Sequence, residues 1–153
     1  MIGTTWDLEL AETLLAVNAR RATEGQDPDA PLERELAERF GTPQRLAVYG
    51  SLAPGEVNHN VVTDLPGSWQ DGIVTGMLRQ PGRGAKLGFP ALRWRAGGPP
   101  VPARLFVSEA LPEHWARLDA FEGPGYVRIL VPVHDSLGTL LAVANLYADA
   151  TDG

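Results

Sequence analysis

The amino-acid sequence predicts an α+β protein in which a helical segment precedes a domain built mainly of short strands. Through residue 44, apolar residues recur at the three-to-four-residue spacing of amphipathic helices. From residue 45, short apolar segments alternate with glycine and proline, as in strands joined by turns. We therefore divide the chain into a helical extension, residues 1–44, and a main domain, residues 45–153.

Two helices are predicted in the extension. The first follows a cap at Thr4 or Thr5 and ends near Glu24. Its apolar stripe comprises Leu8, Ala11, Leu15 and Ala19, widened by Leu10, Leu14 and Val17. The second opens at Pro31, which suits a first helical turn, and ends before Gly41. Because the stripe is too apolar to face water, we expect the extension to pack on the main domain or on a second copy in a homodimer.

The main domain contains six predicted strand segments and one helix. The strand segments cover residues 46–49, 73–78, 90–94, 103–107, 126–133 and 139–147. The helix opens near Pro112 and ends at Gly123-Pro124-Gly125. This order places one helix between the fourth and fifth strands.

Composition excludes several functional classes. The 153 residues contain no cysteine, which excludes disulfides, thiolate metal sites and a cysteine nucleophile. The net charge is −6 and Lys86 is the only lysine, so nothing favours nucleic acid or anionic lipid as a partner. No apolar run approaches a membrane span, and the N-terminus lacks a signal peptide. We expect a cytoplasmic protein with no membrane partner, and its residue usage is typical of a bacterial source.

The first candidate site follows the strand that ends at Val48-Tyr49. Gly50-Ser51-Leu52, then Gly55 and Asn58-His59, form a loop after it. Several backbone N–H groups in such a loop can point into one concavity and bind a carboxylate or phosphate without a basic side chain. An ordinary strand-to-loop turn explains the same spacing.

The second candidate site lies at the end of the predicted helix. Glu122 follows Phe121 and precedes Gly123, with Tyr126 and Arg128 next along the chain. The helix dipole and burial beside an aromatic ring both raise the pKa of a carboxyl group placed there. A glutamate tuned in this way suits general acid/base chemistry. A solvent-exposed glutamate, or one paired with Arg128, is the alternative.

Together these motifs resemble the gamma-glutamylcyclotransferase superfamily, including its AIG2-like members. The matching residues are Tyr49-Gly50-Ser51-Leu52, Gly55, Asn58-His59, Gly88-Phe89-Pro90-Ala91-Leu92, Leu118-Asp119, Glu122-Gly123, Tyr126 and Arg128. The resemblance covers about residues 45 to 150. Ala53-Pro54 and Ala103-Arg104 depart from the usual pattern.

The resemblance implies a fold, a reaction and a set of site residues. The fold would be a small mixed β-barrel with helices packed on it. Tyr49, Gly50, Ser51, Leu52 and Tyr126 would bind a γ-glutamyl substrate. Glu122 would be the catalytic acid/base, and the products would be 5-oxoproline and an amine or amino acid. The reaction needs no cofactor and no metal.

Two alternative functions stay open. Ser51 and His59 contain the residue types of a serine hydrolase, although no nucleophile-elbow motif surrounds Ser51. A non-catalytic module that binds a small molecule would keep the loop without turnover. The product distinguishes the enzymes, since a hydrolase releases glutamate and a cyclotransferase releases 5-oxoproline.

Overall fold

The computed structural model describes residues 2–50, 55–56, 59–79 and 91–150, with the side chains of residues 2–8 and 79 excepted. Its helices are α1 (Ile2–Glu24), α2 (Pro31–Phe40) and α3 (Trp115–Glu122). Its strands are β1 (Arg45–Val48), β2 (Ser68–Arg79), β3 (Ala91–Trp94), β4 (Pro100–Val107), β5 (Tyr126–His134) and β6 (Leu140–Asp149). Short 3₁₀ turns cover Thr42–Gln44, His59–Val61 and Leu111–Glu113.

Five of the strands close into a mixed barrel. The strand order is β1-β4-β2-β3-β6, and a parallel pairing of β1 with β6 closes the ring at Leu46 and Asn145. The sixth strand, β5, pairs antiparallel with β6 and meets β2 at Ile73 and His134. The predicted α+β class and mixed barrel are therefore confirmed.

Alternation along the strands divides the apolar residues between two faces. On β1, Ala47 belongs to the cluster that fills the barrel, together with Val74, Leu105 and Val131. Leu46 and Val48 instead join Phe106, Leu118 and Trp115 in a second cluster. This second cluster holds α3 against the outside of the barrel, which sets the position of Glu122 at the end of that helix.

The extension packs on the barrel, as one of the two sequence expectations proposed. Leu10, Leu14 and Val17 of α1 join Leu36 of α2 in a cluster with Leu130 and Val143 of the sheet. The predicted stripe was wrong for Leu15, which is 55% exposed, and for Ala19, which is also exposed. The buried stripe continues from Val17 to Arg21, because the Arg21 charge is paired with Glu33 inside the protein.

Several strands are longer than their apolar segments. β2 begins at Ser68, five residues before the predicted start at Ile73, because β4 pairs with this polar stretch along its whole length. β6 continues to Asp149, opposite Tyr126 of β5. Backbone pairing with a neighbouring strand extends these elements where side-chain pattern alone gives no signal. No helix in the described part of the chain is both long and apolar enough to cross a membrane.

Candidate active site

Tyr49 follows β1 directly, and its hydroxyl group joins two barrel strands. The hydroxyl donates a hydrogen bond to the Tyr147 carbonyl of β6 at 2.6 Å. It accepts one from the Leu92 N–H of β3 at 2.9 Å. β3 and β6 pair at Leu92 and Ala148, so the tyrosine ring extends the contact between these strands. The hydroxyl proton is therefore used in a bond within the protein. One lone pair of the hydroxyl oxygen and the backbone groups of Tyr49 remain for contact with a ligand.

The surroundings of Tyr49 contain two carboxylates. Burial raises the pKa of the Tyr49 hydroxyl far above its ordinary value, and the Leu92 hydrogen bond opposes this only in part. The neighbouring Tyr126, Glu122 and Asp149 raise the pKa further through their charges. Glu122 and Tyr126 therefore act electrostatically on the Tyr49 hydroxyl, and a single site formed by the two motifs stays a prediction.

Glu122 is the last residue of α3 and is half-buried. The helix ends because Gly123 adopts a positive φ of 78°, while its N–H donates to the Asp119 carbonyl at 3.1 Å. The Tyr126 N–H then donates to the Gly123 carbonyl at 3.2 Å, which turns the chain directly into β5. Glu122 and Tyr126 are thus held at the two ends of one tight turn.

One turn of helix before Glu122, the Asp119 carboxylate accepts hydrogen bonds from two side chains. Arg128 donates from Nε to Oδ1 at 2.9 Å and from Nη2 to Oδ2 at 3.4 Å. The Tyr147 hydroxyl donates to Oδ1 at 2.6 Å. Burial and this bond to Asp119 raise the pKa of Tyr147 well above its usual range. Glu122 also raises the pKa of Tyr147 through its charge.

Asn145 of β6 continues the polar network away from α3. Its Oδ1 accepts hydrogen bonds from Arg128 Nη1 at 2.8 Å and from Arg21 Nη1 at 2.9 Å. Its Nδ2 donates to the Thr42 carbonyl at 2.8 Å, which fixes the orientation of the amide. Arg21 in turn forms a two-bond ion pair with Glu33 of α2. The network therefore reaches from the extension to the site helix.

A cavity of about 800 Å³ opens beside the end of β1. Tyr49 and Gly50 line it, with Glu56, Asp71 and Arg104 among its polar residues. Arg104 Nε pairs with Asp71 Oδ1 at 2.9 Å, across neighbouring strands. Glu122 is not among the described residues that line this cavity.

Some predicted site residues lie outside the described part of the chain. Ser51 and Leu52 are among them, so the predicted contact of their backbone N–H groups with a substrate stays a prediction. Among the described residues, no group of three histidine, aspartate or glutamate side chains is arranged to hold a metal ion.

Sequence reasoning missed four residues of this region. Asn145 and Tyr147 lie in an otherwise apolar segment, and a polar residue in a buried strand must find hydrogen-bond partners. Arg21 follows Val17 at helical spacing, which was the available signal for its burial. Asp149 gave no signal, because its strand extends beyond the apolar pattern.

Comparison with known proteins places this geometry in a family. The family model described as gamma-glutamyl cyclotransferase, AIG2-like, matches residues 46–152. The chain belongs to this family. The match includes the end of β1, all of α3 and both strands of the β5–β6 pair. The extension that carries Arg21 and Glu33 lies before the matched residues.

Solved structures share the fold of this AIG2-like chain. An AIG2-like protein from Mus musculus superposes with a TM-score of 0.57 at 23% identity, over 72% of this chain and 79% of the mouse chain. YkqA from Bacillus subtilis gives a TM-score of 0.53 at 22% identity, over 69% of this chain and 35% of YkqA. An Arabidopsis thaliana protein solved in solution gives 0.53 at 22% identity, over 72% and 70% of the two chains. No curated protein matches the chain.

Proposed function

We propose that this AIG2-like protein cyclises a γ-glutamyl group to 5-oxoproline and releases an amine or amino acid. The observation that carries the proposal is the packing of α3, which ends in Glu122, against β1, which ends just before Tyr49: Leu118 of α3 shares an apolar cluster with Leu46 and Val48 of β1. The charge of Glu122 acts on Tyr49 and on Tyr147, in agreement with this packing. Family membership supplies the reaction class, and this placement supports one shared site.

The reaction needs two proton transfers and one acyl transfer. Glu122 accepts a proton from the substrate α-ammonium group, and the freed amine attacks the γ-carbonyl carbon of the same molecule. As the bond from that carbon to the leaving nitrogen breaks, Glu122 gives this proton to the leaving nitrogen. The ring nitrogen, which still carries one proton too many, then passes its second proton through the same carboxylate to the released amine, which leaves as an ammonium group. Ring closure within one molecule avoids the entropic cost of bringing two reactants together.

Substrate binding is assigned to the loop and to Tyr126. Backbone N–H groups at Gly50, Ser51 and Leu52 would hold the α-carboxylate and the developing oxyanion. Tyr126, which follows Glu122 through one tight turn and acts electrostatically on Tyr49, would contact the γ-glutamyl group as well. This arrangement uses no cofactor, since every step moves a proton or forms or breaks a carbon–nitrogen bond.

Replacing Glu122 with Gln tests the assignment. Glu122→Gln keeps the size of the side chain but removes the base, so we expect turnover to fall at least about a hundredfold. Affinity for 5-oxoproline should change little, because the loop binds the other end of the molecule. The measurement is 5-oxoproline release from a panel of γ-glutamyl amino acids and γ-glutamyl amines, beside a binding titration.

Glu113→Gln is the matched control, because Glu113 is an exposed glutamate just before α3. It should keep full turnover. Near-normal turnover in Glu122→Gln would remove the catalytic assignment. Release of glutamate instead of 5-oxoproline would favour a hydrolase that uses Ser51, and binding without turnover would favour a binding module.

A further inference from the structure

The buried guanidinium group of Arg21 joins the extension to the barrel. Arg21 is 7% exposed. Its Nε and Nη2 donate to the two carboxylate oxygens of Glu33 at 2.7 and 2.9 Å. Its Nη1 donates to Asn145 Oδ1 at 2.9 Å and to the Arg128 carbonyl at 3.3 Å. One side chain of α1 thus contacts α2, β6 and β5.

Two cations meet at the amide oxygen of Asn145. Arg21 and Arg128 both donate to this atom. Their like charges repel in a buried environment, so each needs a carboxylate of its own. Glu33 serves Arg21, and Asp119 serves Arg128. The orientation of Arg128 therefore depends on the charge pair that the extension supplies.

Arg128 in turn contacts the first residue and the middle of α3. Its guanidinium carbon lies 4.2 Å from the ring centre of Trp115, the first residue of the helix. Its Nε and Nη2 bind Asp119, one turn before Glu122. A helix of eight residues has little rigidity of its own, so these contacts determine how its last turn is aimed.

We propose that Arg21 is a positioning residue for the reaction described above. Arg21 fixes the orientation of Arg128, and Arg128 in turn fixes the orientation of the last turn of α3, which ends in Glu122. The inference rests on the proposed function, because it takes Glu122 as the proton-transfer group. It assigns a role in the site to the extension, which lies before the residues that match the family model.

A purely stabilising role does not account for the Arg21–Glu33 pair. The apolar cluster of Leu14, Val17 and Leu36 already holds the two extension helices on the sheet. Burying two charges gains little net stability over apolar residues of similar size, because desolvation offsets the attraction. The pair instead fixes an orientation. Because the guanidinium group is planar and binds the Glu33 carboxylate by two bonds, the direction of its third nitrogen, Nη1, is fixed as well.

The variant Arg21→Met/Glu33→Met tests the proposal. Removing both charges leaves no orphan carboxylate, so the extension keeps its packing. Arg128 then loses the neighbour that restrains it, and Glu122 moves from its productive position. Because small misplacements of a reacting group have large effects on rate, we expect kcat to fall tenfold or more. KM should stay within about threefold, since the substrate-binding loop is unchanged.

Arg20→Met is the matched control. Arg20 is the adjacent residue on α1, and its ion pairs with Glu24 and Asp27 are exposed. A second measurement does not depend on activity. It is the chemical shift of the Trp115 indole N–H in the NMR spectrum, and the resonance is assigned by its loss in Trp115→Phe. This group is under the Arg128 guanidinium and donates to the Pro43 carbonyl at 2.9 Å. The double variant should move this resonance, and Arg20→Met should not.

The outcomes separate this inference from the proposed function. A loss of kcat per folded molecule with a shifted Trp115 resonance supports it. A kcat that falls only in proportion to the folded fraction, or an unshifted resonance, overturns it. If the unmodified protein releases no 5-oxoproline, the proposed function fails and the role of Arg21 in that reaction fails with it, whereas the Trp115 resonance still decides whether Arg21 positions Arg128. Should the double variant not fold, Arg21→Lys replaces it, with the same expected results, because an ammonium group cannot reproduce the fixed two-bond geometry of the guanidinium group with Glu33.

Discussion

Arg128 shows how one buried charge can organise several elements. Its guanidinium group binds Asp119 and Asn145 and lies against Trp115, while its backbone carbonyl accepts from Gln26 at 3.0 Å and from Arg21. Each of the three side-chain nitrogens of Arg128, Nε, Nη1 and Nη2, donates a hydrogen bond. A buried arginine with this many directed bonds constrains its neighbours more than apolar packing would, because each bond has a required angle.

The first prediction concerns the Asp119–Arg128 pair. Asp119→Asn keeps the shape of the side chain but leaves Arg128, which is 8% exposed, without its carboxylate. We expect the free energy of unfolding to fall by about 2–3 kcal/mol, the lower end for a broken buried pair, because Asp119 itself is partly exposed. Urea denaturation measures this loss.

Asp64→Asn provides the control for this measurement. Asp64 pairs with Arg117 at 3.4 Å, and both side chains are exposed. An exposed pair contributes about 0–1 kcal/mol, so the control should change stability little. Equal losses of unfolding free energy in Asp119→Asn and Asp64→Asn would show that the buried Arg128 pair contributes no more to stability than an exposed pair.

The second prediction concerns Tyr147, whose pKa is raised above its unfolded value of about 10. The folded state therefore holds a proton that the unfolded state releases above pH 10. This stabilisation is fully present below pH 10 and is lost as pH rises, at up to about 1.4 kcal/mol per pH unit. Tyr147→Phe should remove this slope, although it lowers stability at neutral pH by about 1–3 kcal/mol through the lost bond to Asp119.

Urea denaturation at pH 9, 10 and 11 checks the expected slope. Tyr49 has a raised pKa for the same main reason, burial, so Tyr49→Phe/Tyr147→Phe should be flatter still. Parallel pH profiles for the unmodified protein and Tyr147→Phe would contradict a buried, neutral hydroxyl at this position.

At the scale of elements, α1 covers the free edge of β5. Strand β5 pairs with β6 on one side, and polar side chains of α1 and the loop after it serve the other. Asn18 accepts from the Leu130 N–H at 2.8 Å and donates to the Leu130 carbonyl at 2.9 Å. Gln26 and Arg21 serve the Arg128 carbonyl. An edge strand left uncovered invites pairing with another chain, and α1 prevents this.

The third prediction tests this cover. Asn18→Ala removes both bonds to Leu130 and leaves its buried backbone groups without partners. We expect a loss of about 1–3 kcal/mol per unsatisfied group, with faster hydrogen exchange at the Leu130 amide. The same change at Asn60, which is exposed, should alter neither quantity. Unchanged exchange at Leu130 in Asn18→Ala would show that the edge is protected in another way.

Elements with a clear apolar period were predictable from sequence, and those set by distant partners were not. The bounds of α2 followed from Pro31 and Gly41, and the bounds of β3 and β5 followed from the strand-and-turn pattern. The stripe of α1 was placed wrongly at Leu15, because the charge of Arg21 concealed its burial. At the site, the positions of Glu122 and Tyr126 beside a turn were predictable from helix-ending signals. The Asn145 network was not, since two of its partners, Arg21 and Thr42, are more than 100 residues away from Asn145 in the sequence.

At the scale of the whole molecule, the extension and the barrel share one apolar cluster and one polar network. Leu14 and Leu36 pack with Leu130 and Val143, and Arg21 joins the barrel through Asn145. Neither part can bury these groups alone. Because the shared contacts are central to both, we expect the chain to unfold as a single cooperative unit.

The last prediction tests this cooperativity with Leu14→Ala. Leu14 is 0% exposed, so the truncation leaves a cavity between extension and sheet, and stability should fall by about 2–5 kcal/mol. Leu15→Ala, at the adjacent exposed position, should have little effect.

Two probes follow the two parts of the chain separately. In a Trp6→Phe background, tryptophan fluorescence reports on the barrel. Circular dichroism at 222 nm reports mainly on the extension, because α1 and α2 contain 23 and 10 residues and α3 contains only 8. If the two parts are one unit, both signals shift to the same lower urea midpoint. A helix signal lost at lower urea than the fluorescence change would instead show that the extension unfolds separately from the barrel.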